Sequence, residues 1–195
     1  MANTNAPFGL SPLGLSGTTP NFEITHRPIA SNNATKIAQG DPLKLLSTGY
    51  VAQWTNGTTA SAFAGVFIGC KYLSVSQGRT VYSNFWPGSD AAADPDCEFI
   101  SNILYPAMKY KIQVSTTPLT FANTTKNADM IVNAPIIRGG FGLSQVTLDS
   151  PNIATTATFP LRIVDYWKGV GNGSDTTTNF NWMVVQANTA ALAGV

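Results

Sequence analysis

The chain has 195 residues and a formal net charge of +1, with only 11% charged residues against 44% hydrophobic ones. That length accommodates one domain with a true core, and the near balance of 11 Lys and Arg against 10 Asp and Glu leaves no basic surplus to neutralise phosphates, which excludes nucleic acid as the expected partner. No window approaches the roughly 18 apolar residues of a membrane-spanning helix, and the opening MANTNAPFGLSPLG has neither the basic nor the apolar region of a secretory signal, so synthesis in a cytoplasm and no membrane partner are expected.

Residues 1–21 carry three prolines, three glycines and no charge, with Phe8, Leu10, Leu13 and Leu15 at spacings that suit neither a helix nor an amphipathic strand. This segment is expected to be an extended arm. Its four apolar side chains need cover, either from a partner or neighbouring subunit or from the arm's own domain. Residues 22–195 are expected to form a single β-rich domain. Phe22 to Pro28 alternates apolar and polar residues as a first strand. Gly40-Asp41-Pro42 punctuates the entry to a strand at Leu43 to Leu46, and Tyr50 to Trp54 alternates again. Asn56-Gly57 signals a turn that suits either a type I′ hairpin or a longer loop. The densest apolar stretch, FAGVFIGCKYLSVSQGRTVYSNFWPGS from Phe63 to Ser89, divides into strands at Phe63 to Tyr72 and Thr80 to Trp86 across Ser76-Gln77-Gly78. Glu98 to Leu104, Lys109 to Val114, Ala128 to Val132, Gly142 to Leu148, Leu161 to Tyr166 and Asn181 to Gln186 complete the set. Short strands about ten residues apart, with Gly, Pro, Asn and Thr between them, are the pattern of an all-β sandwich or barrel.

Catalytic and ligand-binding signatures are sparse. His26 is the sole histidine, so any His-dependent chemistry would rest on it alone, and a structural or surface role is expected. Asp90, Asp94, Asp96 and Glu98 place oxygens at alternate positions, as a Ca²⁺ loop does, but without the Gly and Glu spacing of an EF-hand and with Pro95 in their midst. A solvated turn is the expectation, with no metal and no cofactor. Arg138-Gly139-Gly140-Phe141-Gly142 precedes a strand rather than a helix and therefore reads as a bend or bulge, not a phosphate cradle. Cys70 and Cys97 have no paired Cys or His at metal-ligand spacing, and are expected to be buried thiols unless the fold brings them together. The Asn-X-Ser/Thr triplets at Asn33, Asn56, Asn123 and Asn172 are expected to be products of composition, because no export signal accompanies them. Thr, Asn and Ser supply 53 residues, which implies a surface of neutral hydrogen-bonding groups that docks on protein without stripping water from many ions.

Several segments also carry a resemblance, in order along the chain: Gly40-Asp41-Pro42-Leu43-Lys44, GVFIGCKY at Gly65 to Tyr72, NFWPGS at Asn84 to Ser89, DPDCEF at Asp94 to Phe99, and LRIVDY at Leu161 to Tyr166, followed by a strand and Asn188. With the opening MANTNAPFGLSPLG, this series resembles the capsid decoration, or cement, proteins of tailed bacteriophages. The resemblance implies a non-enzymatic virion protein, made in the bacterial cytoplasm, that sits outside an icosahedral head. Its partners would be the major capsid protein and other copies of itself, in a homotrimer first and a dimer second. Capsid or inter-subunit contacts are expected from Phe8, Leu10, Leu13, Leu15, Phe85 and Trp86, with core packing the competing role of Trp86. Other expectations stay open: a module in which Trp54, Trp86, Trp167 or Trp182 stacks on carbohydrate or a host surface, a minor neck or tail protein, and a hydrolase built on the acidic segment and His26.

Overall fold

Period-two burial defines the strands. In Trp182–Ala187, Met183, Val185 and Ala187 are buried while Trp182, Val184 and Gln186 are only partly covered, as expected of a strand with one face on a core. The computed structural model of the protein describes residues 2–14, 24–58, 62–102 and 107–188. Within them the fold is all-β, a sandwich of two antiparallel sheets. The first sheet runs in the order β1 (Ser11–Gly14), β10 (Lys109–Gln113), β17 (Trp182–Ala187), β16 (Leu161–Tyr166) and β11 (Asn127–Ala128). The second runs β2 (Ile24–Pro28), β9 (Asp96–Ser101), β6 (Phe63–Ser74), β4 (Pro42–Leu45) and β5 (Val51–Gln53), with β7 (Arg79–Ser83) also paired to β6. Three two-stranded ribbons complete it: β3 (Ile37–Ala38) with β8 (Phe85–Trp86), β12 (Met130–Ile131) with β15 (Thr147–Leu148), and β13 (Ile136–Arg138) with β14 (Phe141–Leu143).

Two cores lie on opposite sides of the second sheet. The larger fills the space between the sheets, where Tyr110, Ile112, Ile163, Met183 and Val185 meet Phe63, Val66 and Ile100. The smaller packs Leu43, Phe67, Cys70, Tyr72, Cys97 and Phe99 against Ile29, Ile37 and Trp86. Strand β6 contributes to both, which explains why its sequence is continuously apolar instead of alternating. Two irregularities shift the phase of its side chains. The pairing with β4 skips Ala64 and the pairing with β9 skips Ile68, each a bulge that changes which face the following residues occupy.

The positions of β4 to β7, β9, β10, β16 and β17 agree with the sequence expectations to within a few residues, and Leu161–Tyr166 agrees at both ends. Four points differ. Ser11–Gly14, expected to be arm without regular structure, is a strand on the edge of the first sheet, because its backbone finds partners along β10. Asn56-Gly57 makes no hairpin: β5 turns back onto β4 through Leu46 to Tyr50, and Asn56 instead accepts the Val132 N–H with its side chain. Gly139-Gly140, read as a bend or bulge, is a two-residue hairpin turn with φ of 57° and 84°, the pair of positive values that a type I′ turn requires. The stretch 80–86 divides into β7 and β8, which pair with different partners.

Gly65 marks the tightest point of the two-sided strand. A Cβ there would stand 2.0 Å from the Ile100 carbonyl oxygen and 2.8 Å from the Phe99 ring, atoms held in place by the β6–β9 ladder. Gly65→Ala is therefore expected to lower stability by about 3 kcal/mol, measured by urea unfolding. A loss below about 1 kcal/mol would mean that β9 moves aside freely, contrary to this account.

Candidate functional site

The first residues are fastened to their own domain. Asn3 donates to the Asp175 carbonyl (2.7 Å) and the Thr178 hydroxyl (2.9 Å) and accepts from Gly173 N–H (2.9 Å), while Thr4 N–H reaches the Asn172 side chain (2.7 Å). Gln113 then takes Ala6 N–H and donates to the Thr4 carbonyl, and Leu10 N–H donates to Gly40 O at 2.8 Å. Of the two placements open from sequence, residues 2–14 occupy the one on their own domain. Leu10 is 1% exposed and part of the larger core, so the expectation of a contact to another chain is corrected: its side chain packs within its own domain. Phe8 is partly covered and meets the Trp182 ring edge-on at 5.1 Å. Leu13 remains 39% exposed, and Leu15 lies outside the described residues.

The other expected contacts divide in the same way. Trp86 is fully buried in the smaller core, edge-on to Tyr72, with its indole N–H on the Asn33 carbonyl; its role is packing, and the contact expectation is corrected. Phe85 is partly covered, and its Cβ lies against Gly142 of the β13–β14 hairpin. Trp54 is also fully buried. Trp167 and Trp182 reach the surface, but the Lys111 ammonium stands 4.7 and 4.4 Å from their ring centres. Their carbons also lie against Gly169 and Gly173, where a Cβ would approach within 2.4 and 2.2 Å. The chain thus crowds the two indoles with its own cation and glycines, an arrangement that leaves little of their faces for stacking on a sugar.

Exposed apolar side chains gather elsewhere. The two-residue turn sets Ile136 opposite Leu143 and Arg138 opposite Phe141, so these four side chains share one face of the hairpin. Gly142 is on the reverse, pressed on Phe85 and Ala38. Phe141 is 72% exposed and Leu143 50%. Beside them a groove of about 570 Å³ opens between the sheets, lined by Leu10, Pro12, Ile24, Ile68, Ile100 and Leu143. Of its lining, Ile24 is exposed, and so is Leu13, next to Pro12 in β1. The hairpin residues Ile136, Phe141 and Leu143 were not singled out from sequence. The signal was present in Ile136-Ile137-Arg138-Gly139-Gly140-Phe141-Gly142-Leu143, where a Gly-Gly turn between two three-residue strands specifies which residues share a face.

Asp90 and Asp94 are occupied by donors of their own. Asp90 accepts from Ser74 Oγ (2.6 Å) and from the N–H and hydroxyl of Ser76. Asp94 accepts from Tyr50 OH (2.6 Å) and Ser31 N–H (2.8 Å). These bonds, led by Ser74 and Tyr50 respectively, hold both carboxyls below their usual range. Asp96 Oδ2 lies 3.0 Å from Nδ1 of the half-exposed His26. Among the described residues no three His, Cys, Asp or Glu side chains converge on one point.

Asp41 is different: it is fully buried. Its Oδ2 accepts from Ala38 N–H (2.9 Å) and Gln53 Nε2 (2.8 Å), the Ser144 hydroxyl helps to hold the charge, and Oδ1 has no well-aligned donor. Burial outweighs these bonds and pushes its carboxyl up to about 6. The folded state therefore binds this proton more tightly than the unfolded chain, so stability rises as pH falls through 6 and the gain is complete below the unfolded value near 4. Wild-type protein is expected to gain about 1 kcal/mol from this group between pH 7 and pH 5, and Asp41→Asn to lack that gain. Paired urea titrations at the two pH values measure the difference, and equal pH dependence in both proteins would exclude Asp41 as its source. Comparison of the chain with protein-family models, characterised proteins and solved structures finds no match.

Proposed function

We propose that this chain is a non-enzymatic structural protein of a tailed-phage virion, bound to the outside of the head and stabilising contacts between capsomers of the major capsid protein. The observation that carries the reading is the exposed apolar hairpin face of Ile136, Phe141 and Leu143, with Ile24 and Leu13 also exposed, on a chain in which only 11% of residues are charged. Such a face gains free energy when covered, about 25 cal/mol for each Å² of apolar surface removed from water, and few ions oppose its burial. The ordered resemblance of Gly40–Lys44, Gly65–Tyr72, Asn84–Ser89, Asp94–Phe99 and Leu161–Tyr166 to decoration proteins supports the same role. The proposed contact surface is that apolar face, with Phe8 and Phe85 beneath it; the enclosed Leu10 and Trp86 are left out. A homotrimer at a three-fold position is the proposed assembly, with a dimer as the second choice. A protein that binds only the assembled shell stabilises that state by mass action.

The copy number in purified particles, measured by quantitative mass spectrometry against the major capsid protein, tests the role. A simple lattice ratio is expected. A handful of copies would move the protein to the neck or tail, and its absence from particles would overturn the proposal. Phe141→Asp is expected to reduce incorporation into heads at least tenfold, about 1.4 kcal/mol of binding, while leaving the melting temperature of the free protein within about 2 °C, since an exposed substitution seldom changes stability much. Full incorporation of this variant would remove the hairpin face from the contact surface.

A further inference from the structure

Cys70 and Cys97 are both free and both buried, at 3% and 0% exposure. They are also partners in register: β6 and β9 run antiparallel with Cys70 directly opposite Cys97. Residues opposed in this way project to the same face, and both thiols belong to the smaller core. The hydrogen-bond phase of β9 determines which kind of pair they form. Ile29 N–H donates to Pro95 O, and β2 continues alongside β9 with Arg27 opposite Cys97, so the peptide groups of residues 95 and 97 point towards β2 and away from β6. From the other end, Asn102 N–H donates to Ala64 O on the β6 side, and alternation back along β9 turns residue 97 away from β6 once more. Cys70 and Cys97 therefore form a non-hydrogen-bonded antiparallel pair. That is the closer of the two pair geometries, with Cα atoms about 4.5 Å apart, inside the span of about 4.4–6.8 Å that a disulfide bridges.

We propose that Cys70 and Cys97 constitute a cross-strand disulfide site, closed by a disulfide oxidant of the glutathione class and joining the two central strands of the second sheet. In the first step one cysteine thiolate attacks a sulfur of the oxidant, forming a mixed disulfide and releasing one glutathione thiolate. In the second, the other cysteine thiolate attacks the protein sulfur of that mixed disulfide and releases the second. The two cysteines lose two electrons and two protons in total, the oxidant's S–S bond is reduced, and the protons end on the two glutathione thiols. Cys70 Sγ now donates to Phe85 O at 3.4 Å and turns away from that carbonyl to make the bond. Burial raises both thiols, Cys70 to about 12, so the closed native state is slow to react and the bond forms during folding or on local opening. The bond closes a loop between positions 27 residues apart and constrains the unfolded chain accordingly.

The test is to unfold the full chain, refold it in a buffer of reduced and oxidised glutathione, and compare it with protein refolded in dithiothreitol. The expected product is a monomer two mass units lighter, without thiols titratable in denaturant, melting roughly 5–10 °C higher and returning to the reduced value after dithiothreitol. Cys70→Ala refolded in the same buffer is expected to gain no melting-temperature increment. Two intact thiols after refolding, bound glutathione on either cysteine, bonding between chains, or a disulfide that lowers the melting temperature would each overturn the proposal.

Discussion

Burial of β6 on both faces is the constraint around which the rest of the chain is arranged. A strand with one wet face needs a single complementary layer; this one needs two, and the first sheet and the β3–β8 ribbon with its flanking loops supply them. Regular alternation serves both layers, and the bulges at Ala64 and Ile68 shift its phase, so that Phe63 and Val66 share one core and Phe67 and Cys70 the other. Asp41 sits at the same junction. Its backbone N–H and carboxylate both bond Ala38, its carbonyl accepts from Phe67 of β6, and the neighbouring Gly40 carbonyl accepts from Leu10. The Gly40-Asp41 backbone thus ties the central strand to the approach to the N-terminal strand, the Asp41 carboxyl fixes the turn before β4 and Gln53 of β5, and desolvation of its charge is the cost of that position.

The abundance of Asn, Ser and Thr serves the interior as well as the surface. Asn181 is fully buried and exchanges two hydrogen bonds with the backbone of Leu119. Asn188 donates to the carbonyls of Ala157 and Phe159, Asn127 to that of Thr156, and the Ser150 hydroxyl accepts the N–H groups of Thr116 and Thr117. In a domain with long irregular connections, unpaired backbone groups would be costly. Short neutral side chains satisfy them without bringing charge inside. The ion pairs found among the described residues, His26 with Asp96 and Lys168 with Asp165, are at the surface and contribute little to stability.

The fold class and most central strands were legible because their signals are local. Leu161–Tyr166 and Lys109–Gln113 lie between turn residues, and burial alternates from Leu161 to Ile163, where a bulge follows, and from Lys109 to Ile112. What was illegible depends on distant partners. Ser11–Gly14 has no strand pattern and becomes one only because β10 offers an edge. Trp54 and Trp86 look like surface platforms in a composition count, yet topology encloses both. The proposed contact surface was partly legible: Phe8 and Leu13 were singled out, whereas Ile136, Phe141 and Leu143 required the Gly139-Gly140 turn to be recognised as a hairpin. Cys70 and Cys97, 27 positions apart, become neighbours only through the β6–β9 register, which no local spacing encodes.

The fastening of the first residues has a consequence for the order in which the molecule is completed. Asn3 bonds Thr178 across 175 positions, and Thr4 bonds Asn172 across 168. Synthesis runs from amino to carboxyl end, so residues 3 and 4 are made long before residues 172 and 178 and cannot settle until those have followed. Contacts of such sequence separation form slowly because a long loop must close first. The pairing of Asn3 and Thr4 with the 172–178 loop is thus a late seal on the domain, closed only once the strands between them have been made.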